Sequence, residues 1–127
     1  MSHPLLDRLH NEFNYPLLTT DSLDEFTRQN TLTVLFFTGD PIRQKETADV
    51  AVVLPEIIGQ FPQLSAAVID RGSELELQKK YNFLVWPALV FLREGEFLGS
   101  ITKIRDWSEY LDEIPKILSR TPQPIAS

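Results

Sequence analysis

The stretch Phe83–Leu92, FLVWPALVFL, is the most apolar run of the chain, and it carries Pro87 near its middle. A short continuous apolar run reads as a buried strand. Proline has no N–H to give to a β-ladder, so within a sheet it is confined to edges, bulges and first residues. The strand is therefore expected to begin at Ala88 and run to Arg93, with Pro87 at its entrance. The polar triplet EGE at 94–96 then reads as a hairpin turn into a second strand, Phe97 to Ile104.

The segment before this run alternates helical and extended patterns. Pro4 to Phe13 places Leu5, Leu6, Leu9 and Phe13 at helical spacing, with a proline suited to the first turn. YPLLTT reads as a short extended piece. SLDE at 22–25 has capping-box spacing and opens a short helix to about Gln29. LTVLFF, Leu32 to Phe37, reads as a buried strand. The polar TGDPIRQKETAD, Thr38 to Asp49, leads into a helix on which Val50, Val53, Leu54, Ile57, Ile58 and Phe61 share a face. Pro55 should kink it. SAAVID at 65–70 reads as a strand, and SELELQKKY at 73–81 as a helix capped by Ser73 with Glu76. Asp106 is placed to cap a last helix with Trp107, Tyr110, Leu111, Ile114 and Leu118 on one face, and residues 121–127 read as a flexible tail.

Composition narrows the function classes. The 127 residues fit one domain, with a core at about 15–120. At 43% hydrophobic and 24% charged, the chain has enough apolar material for a core. A net charge of -6 argues against nucleic acid as a partner, since phosphate binding needs a basic face. An acidic surface suits a basic partner, or simply solubility. The amino terminus lacks a basic segment followed by an apolar one, and the longest apolar run is about half of what a membrane helix needs. A soluble, cytoplasmic protein without membrane insertion is expected.

Strands alternating with helices, closed by a hairpin, predict a mixed central sheet with helices on both faces. That is the layout of a thioredoxin-like α/β fold. In such folds a cis-proline precedes the strand that follows the third helix, and VWPALVFLREGE resembles that signature. The resemblance implies a cis bond between Trp86 and Pro87; base rates alone do not. The same fold carries its redox pair after the strand equivalent to LTVLFF. Here that turn is TGDPIRQKET, a longer loop, and the chain has no cysteine at all. Disulfides, zinc–sulfur sites and thiol–disulfide exchange are excluded by composition. The buried acid that thioredoxins carry on this strand is replaced by Leu35 and Phe36.

The segments LFFTGDP…ETADVAVVLPE, AAVIDR, YNFLVWPALVFLREGEFLG and DWSEYLDEI together resemble the HupG/HyaE/HoxO family of hydrogenase expression and formation proteins, over about residues 15 to 118. The resemblance implies a cysteine-free, non-enzymatic chaperone of NiFe-hydrogenase maturation. Its partner would be the hydrogenase small-subunit precursor with its twin-arginine signal peptide, with other maturation proteins as further candidates. That precursor is exported only after folding and cofactor loading. The alternative is a structural scaffold subunit of a maturation complex with no signal-peptide recognition.

Candidate peptide-binding residues follow. Asp40, Glu46 and Asp49 flank the turn where a redox site would lie. They could pair with arginines, which bind carboxylates in a directional, bidentate way. The other reading is a solvated loop with helix-dipole acids, and Arg43 and Lys45, which dilute the charge, count for it. Trp86 could be an exposed anchor whose backbone, beside Pro87, receives an extended ligand, or it could be a core or edge aromatic. His3, Asp7 and His10 share a helix face at a spacing that could hold a metal, but the ligands are few and terminal, and no metal is expected. No cofactor is expected either. No serine–histidine pairing and no glycine-rich phosphate loop occurs.

Overall fold

A computed structural model describes residues 4–40, 42–81 and 83–120. The elements run α1 (Pro4–Asn11), β1 (Leu17–Leu18), α2 (Leu23–Gln29), β2 (Leu32–Phe37), α3 (Thr47–Gln60), β3 (Leu64–Ile69), a single 3-10 turn (Arg71–Ser73), α4 (Glu74–Tyr81), β4 (Ala88–Arg93), β5 (Glu96–Thr102) and α5 (Trp107–Leu118). The strands form one sheet in the order β1-β3-β2-β4-β5. β1, β3 and β2 are parallel, while β4 runs antiparallel to β2 and to β5. This is the thioredoxin-like α/β architecture expected from the element order.

β2 is continuously apolar because both its faces are covered. Val34 and Phe36 point into a core shared with α1, α3 and α5, through Leu9, Leu54, Ile57, Tyr110 and Ile114. Leu35 and Phe37 point the other way, to Leu23 of α2 and to Leu77 and Tyr81 of α4. β4 alternates likewise, with Leu89 and Phe91 in the first core and Ala88, Val90 and Leu92 in the second. Each of these larger side chains contributes roughly 1.5–3 kcal/mol on burial.

Several local expectations are corrected. Neither serine makes its capping box. Ser22 stands before α2 in helical geometry, and its hydroxyl accepts from Thr19 N at 2.8 Å. Ser73 Oγ accepts from Thr20 N at 3.0 Å, while Asp70 does the capping by accepting from Gly72 N. A short hydroxyl takes whichever amide the backbone aims at it, and here neighbouring turns supply that amide. Asp106 sits before α5, but its side chain makes no cap hydrogen bond. The expected helix at Pro55 forms as one continuous element of 14 residues with the proline inside it, which does not conflict with the expected kink. β5 stops at Thr102 because Lys103 adopts a φ of 62° and donates its N–H to Pro87 O at 2.8 Å. On α5, Tyr110, Ile114, Ile117 and Leu118 are buried, but Trp107 and Leu111 are 40% and 36% exposed. α5 lies over the outer strands β4 and β5, and only its central stripe faces them. The expected tail, residues 121–127, lies outside the described residues.

Candidate functional site

The sheet register brings several connections to one end. β2 ends at Phe37 opposite Ala88, where β4 begins. β3 is parallel to β2 and ends at the same side, and Ala88 pairs with Thr102 at the close of β5. The segments after β2, after β3, before β4 and after β5 therefore converge. Ligands of open α/β sheets collect outside the carboxyl ends of the parallel strands, which is this end.

The segment before β4 is fixed by aromatic packing and by Pro87. The Trp86–Pro87 bond is cis, as the family pattern implied. Phe83 sits edge-on to Phe37 at 4.6 Å and to Trp86 at 5.2 Å between ring centroids. Trp86 is thus half-buried against the second core, and its indole N–H is buried without an acceptor among the described residues. Trp86 also lines a groove of about 260 Å³ with Gly39, Asp40, Arg43, Gln44, Arg71, Glu74 and Leu75. It is an edge aromatic, packed on the second core and also lining this groove.

The segment after β2 occupies the place of a redox loop. Gly39 has a φ of 66°, and a Cβ there would lie 2.9 Å from Gln44 Cγ and 3.0 Å from Trp86 Cβ, so the loop can press on the indole only with glycine. Asp40 folds the loop: its Oδ1 accepts from Ile42 N at 3.0 Å and its carbonyl from Gln44 N at 2.7 Å. Thr47 Oγ donates to Thr38 O at 2.5 Å.

Beneath this loop lies a carboxylate that the sequence patterns did not single out. Glu74, the first residue of α4, is buried, and its Oε2 accepts from Gly39 N at 3.0 Å. Its Oε1 lies 3.1 Å from Arg71 Nε. Burial raises its pKa above the usual carboxylate range, opposed by the Gly39 hydrogen bond, the Arg71 charge and Thr38. An acid is therefore present below the loop after all, delivered from α4 and not from β2.

Of the expected site residues, Asp40 and Trp86 meet in the groove, and Pro87 is buried behind them. Glu46 does not line it. Its carboxylate turns to Ile104 N at 2.8 Å and braces the segment after β5. Asp49 is exposed on the first turn of α3, also outside the groove lining. His3 lies outside the described residues, and His10 donates from Nδ1 to Tyr15 O at 2.6 Å. Among the described residues, no three histidine, aspartate or glutamate side chains are placed to share a metal. Nor is any helix among them long and apolar enough to cross a membrane.

Near the groove in sequence are exposed apolar residues that the sequence reading missed, of which Leu75 lines it. Ile42 is 87% exposed, Leu75 69%, Leu84 81% and Val85 38%. Leu75 was legible as an outlier, because Leu77 and Tyr81 already define the buried face of α4.

Comparison with known proteins fixes the kinship. Residues 5–110 match the family model described as Hydrogenase-1 expression protein HyaE. The chain belongs to the HyaE family. The HyaE-family chain is 50% identical over 119 residues to the hydrogenase expression/formation protein HoxO of Azotobacter vinelandii, covering 94% of this chain and 80% of that one. It is 42% identical to HupG of Rhodobacter capsulatus, covering 93% and 87%. A crystal structure of a hydrogenase expression/formation protein HupG from Rhodopseudomonas palustris superimposes with a TM-score of 0.59 at 40% identity, over 82% of this chain and 95% of that one. Plasmodium falciparum thioredoxin superimposes at 0.67 with 17% identity, over 80% of this chain and 97% of that one, which speaks for the fold alone.

Proposed function

We propose that this HyaE-family chain is a non-redox accessory protein of NiFe-hydrogenase maturation. It holds the small-subunit precursor, through its twin-arginine signal segment, in the groove beside Trp86 and Pro87 before export. Family membership supports the hydrogenase context. One observation carries the site: the groove lies where a redox loop would be, walled by Trp86 and the exposed Leu75, with no cysteine anywhere in the chain. Without a thiolate, disulfide exchange has no nucleophile. What remains at this end of the sheet is a surface for an extended segment. Asp40 lines that surface, and Asp49 adds negative charge on the first turn of α3.

The test is co-purification of the chain with small-subunit precursor carrying or lacking its signal segment. Capture should require the segment, and Leu75→Ser with Trp86→Ala in the groove should reduce it at least about tenfold. Equal capture of both precursors would overturn the signal-segment reading and favour a scaffold docked on folded subunit.

A further inference from the structure

We infer that the outer edge of β5 is a self-pairing surface held shut by Arg105 and Arg120, and that the partner it fits when they release it is a second copy of this chain. β5 is the last strand of the sheet and pairs on one side only, with β4. An edge of this kind offers a row of open backbone groups to any other strand. The register shows which groups those are. Lys103 N donates to Pro87 O at 2.8 Å. Bonded and non-bonded pairs alternate along an antiparallel ladder. Ile101 opposite Leu89 and Gly99 opposite Phe91 therefore turn their backbone groups to β4, while Thr102 and Ser100 turn theirs outward. Leu98, at the irregularity in the register, also has its carbonyl on the open side, where a side chain reaches it.

Two arginines sit on this edge. Arg105 Nε donates to Thr102 O at 2.9 Å, and Arg120 Nη1 donates to Leu98 O at 3.4 Å. Arg120 has room because Gly99 carries no side chain: a Cβ there would stand 2.7 Å from Arg120 Nη1. Arg93, at the end of β4, donates to Leu118 O and, at 3.5 Å, to Arg120 O, which steadies the turn that delivers Arg120. A two-fold pairing of two β5 strands is the self-complementary arrangement of a closed dimer. Centred on Ser100, it sets Ser100 against its own copy and Thr102 against Leu98 of the second copy. Its ladder would draw on the carbonyls of Leu98, Ser100 and Thr102, and the arginines already hold the first and the last. It would also bring Arg105 of one copy to Arg120 of the other, like charges at one rung.

Sedimentation velocity of the full chain over about 5–200 μM reads the surface directly. Wild type should stay monomeric, and Arg105→Ala with Arg120→Ala should dimerise at least about tenfold more strongly while keeping its circular dichroism. Arg105→Ala alone should fall between them. Its side chain is 44% exposed, so it decides the matter if the double variant loses its fold. Ser100→Cys in the variant background locates the contact. Paired copies would hold their residue-100 Cα atoms about 5.5 Å apart, within disulfide reach, and the native chain has no cysteine to compete. Mild oxidation should crosslink it, but not Glu56→Cys, exposed on α3. Variants as monomeric as wild type, a wild type that dimerises equally well, or dimers that crosslink no faster through Ser100→Cys than through Glu56→Cys would each overturn the inference.

Discussion

Glu74 is the residue around which the loop after β2 is arranged. Its carboxylate closes a contact across 35 residues, from the start of α4 to Gly39, and that separation hides it from any local pattern. Read along the chain, it is one more acid in the first turn of a helix. Its depth also gives it a recognisable pH behaviour. Burial raises its pKa in the folded state. A carboxyl group with a raised folded pKa binds its proton more tightly in the native state, so stability falls as pH rises through the interval between the unfolded and folded values. Wild type should therefore gain stability relative to Glu74→Gln as pH is lowered through that interval. Urea titrations of both proteins from pH 4 to 7 measure it, and a difference that is flat with pH would show Glu74 to be unshifted. Glu74→Ala, which strands the Gly39 N–H, should cost about 1–3 kcal/mol at neutral pH.

At the scale of elements, the β4–β5 hairpin shows which sequence signals are reliable. The turn residues Glu94 and Gly95 have φ of 51° and 80°, the pattern of a two-residue hairpin turn with both central residues left-handed. Glycine adopts that geometry freely, and glutamate pays a steric cost of about 1–2 kcal/mol. Glu94→Gly should raise stability by about 0.5–1 kcal/mol once the added freedom of the unfolded chain is subtracted. A urea midpoint at or below wild type would refute this. The hairpin, β2, and the apolar face of α3 were all legible, because buried apolar periodicity and turn chemistry act within a few residues. The caps of α2 and α4 were not. Ser73 spends its hydroxyl on Thr20, 53 residues away, and such a partner exists only once the fold has formed. Trp107 and Leu111 lie at helical spacing with Tyr110 and Ile114, but the width of the β4–β5 floor decides how much of that stripe is covered.

For the whole molecule, charge and groove act at different ranges. The chain carries 18 acidic and 12 basic side chains, a net charge of -6. The acids expected to meet a client, Asp40, Glu46 and Asp49, are not gathered into one pocket, and Glu46 is committed to Ile104. Sequence position placed them near the site, but side-chain direction dispersed them. Their field still reaches solvent, where it attracts a basic segment over about a Debye length, roughly 10 Å at 0.1 M salt. Steering of this kind changes the rate of encounter, while close apolar contacts set the rate of escape. Stopped-flow binding of a twin-arginine peptide should therefore show an association rate that falls several-fold between low and high salt, with a dissociation rate that barely moves. Asp40→Asn and Asp49→Asn should each lower the association rate at low salt and have no effect at high salt. Trp86→Ala should raise the dissociation rate about tenfold or more at both, since it removes groove wall and not charge. A salt-dependent dissociation rate would mean that the arginines are held in direct ion pairs in the bound state, and that charge belongs to the contact and not only to the approach.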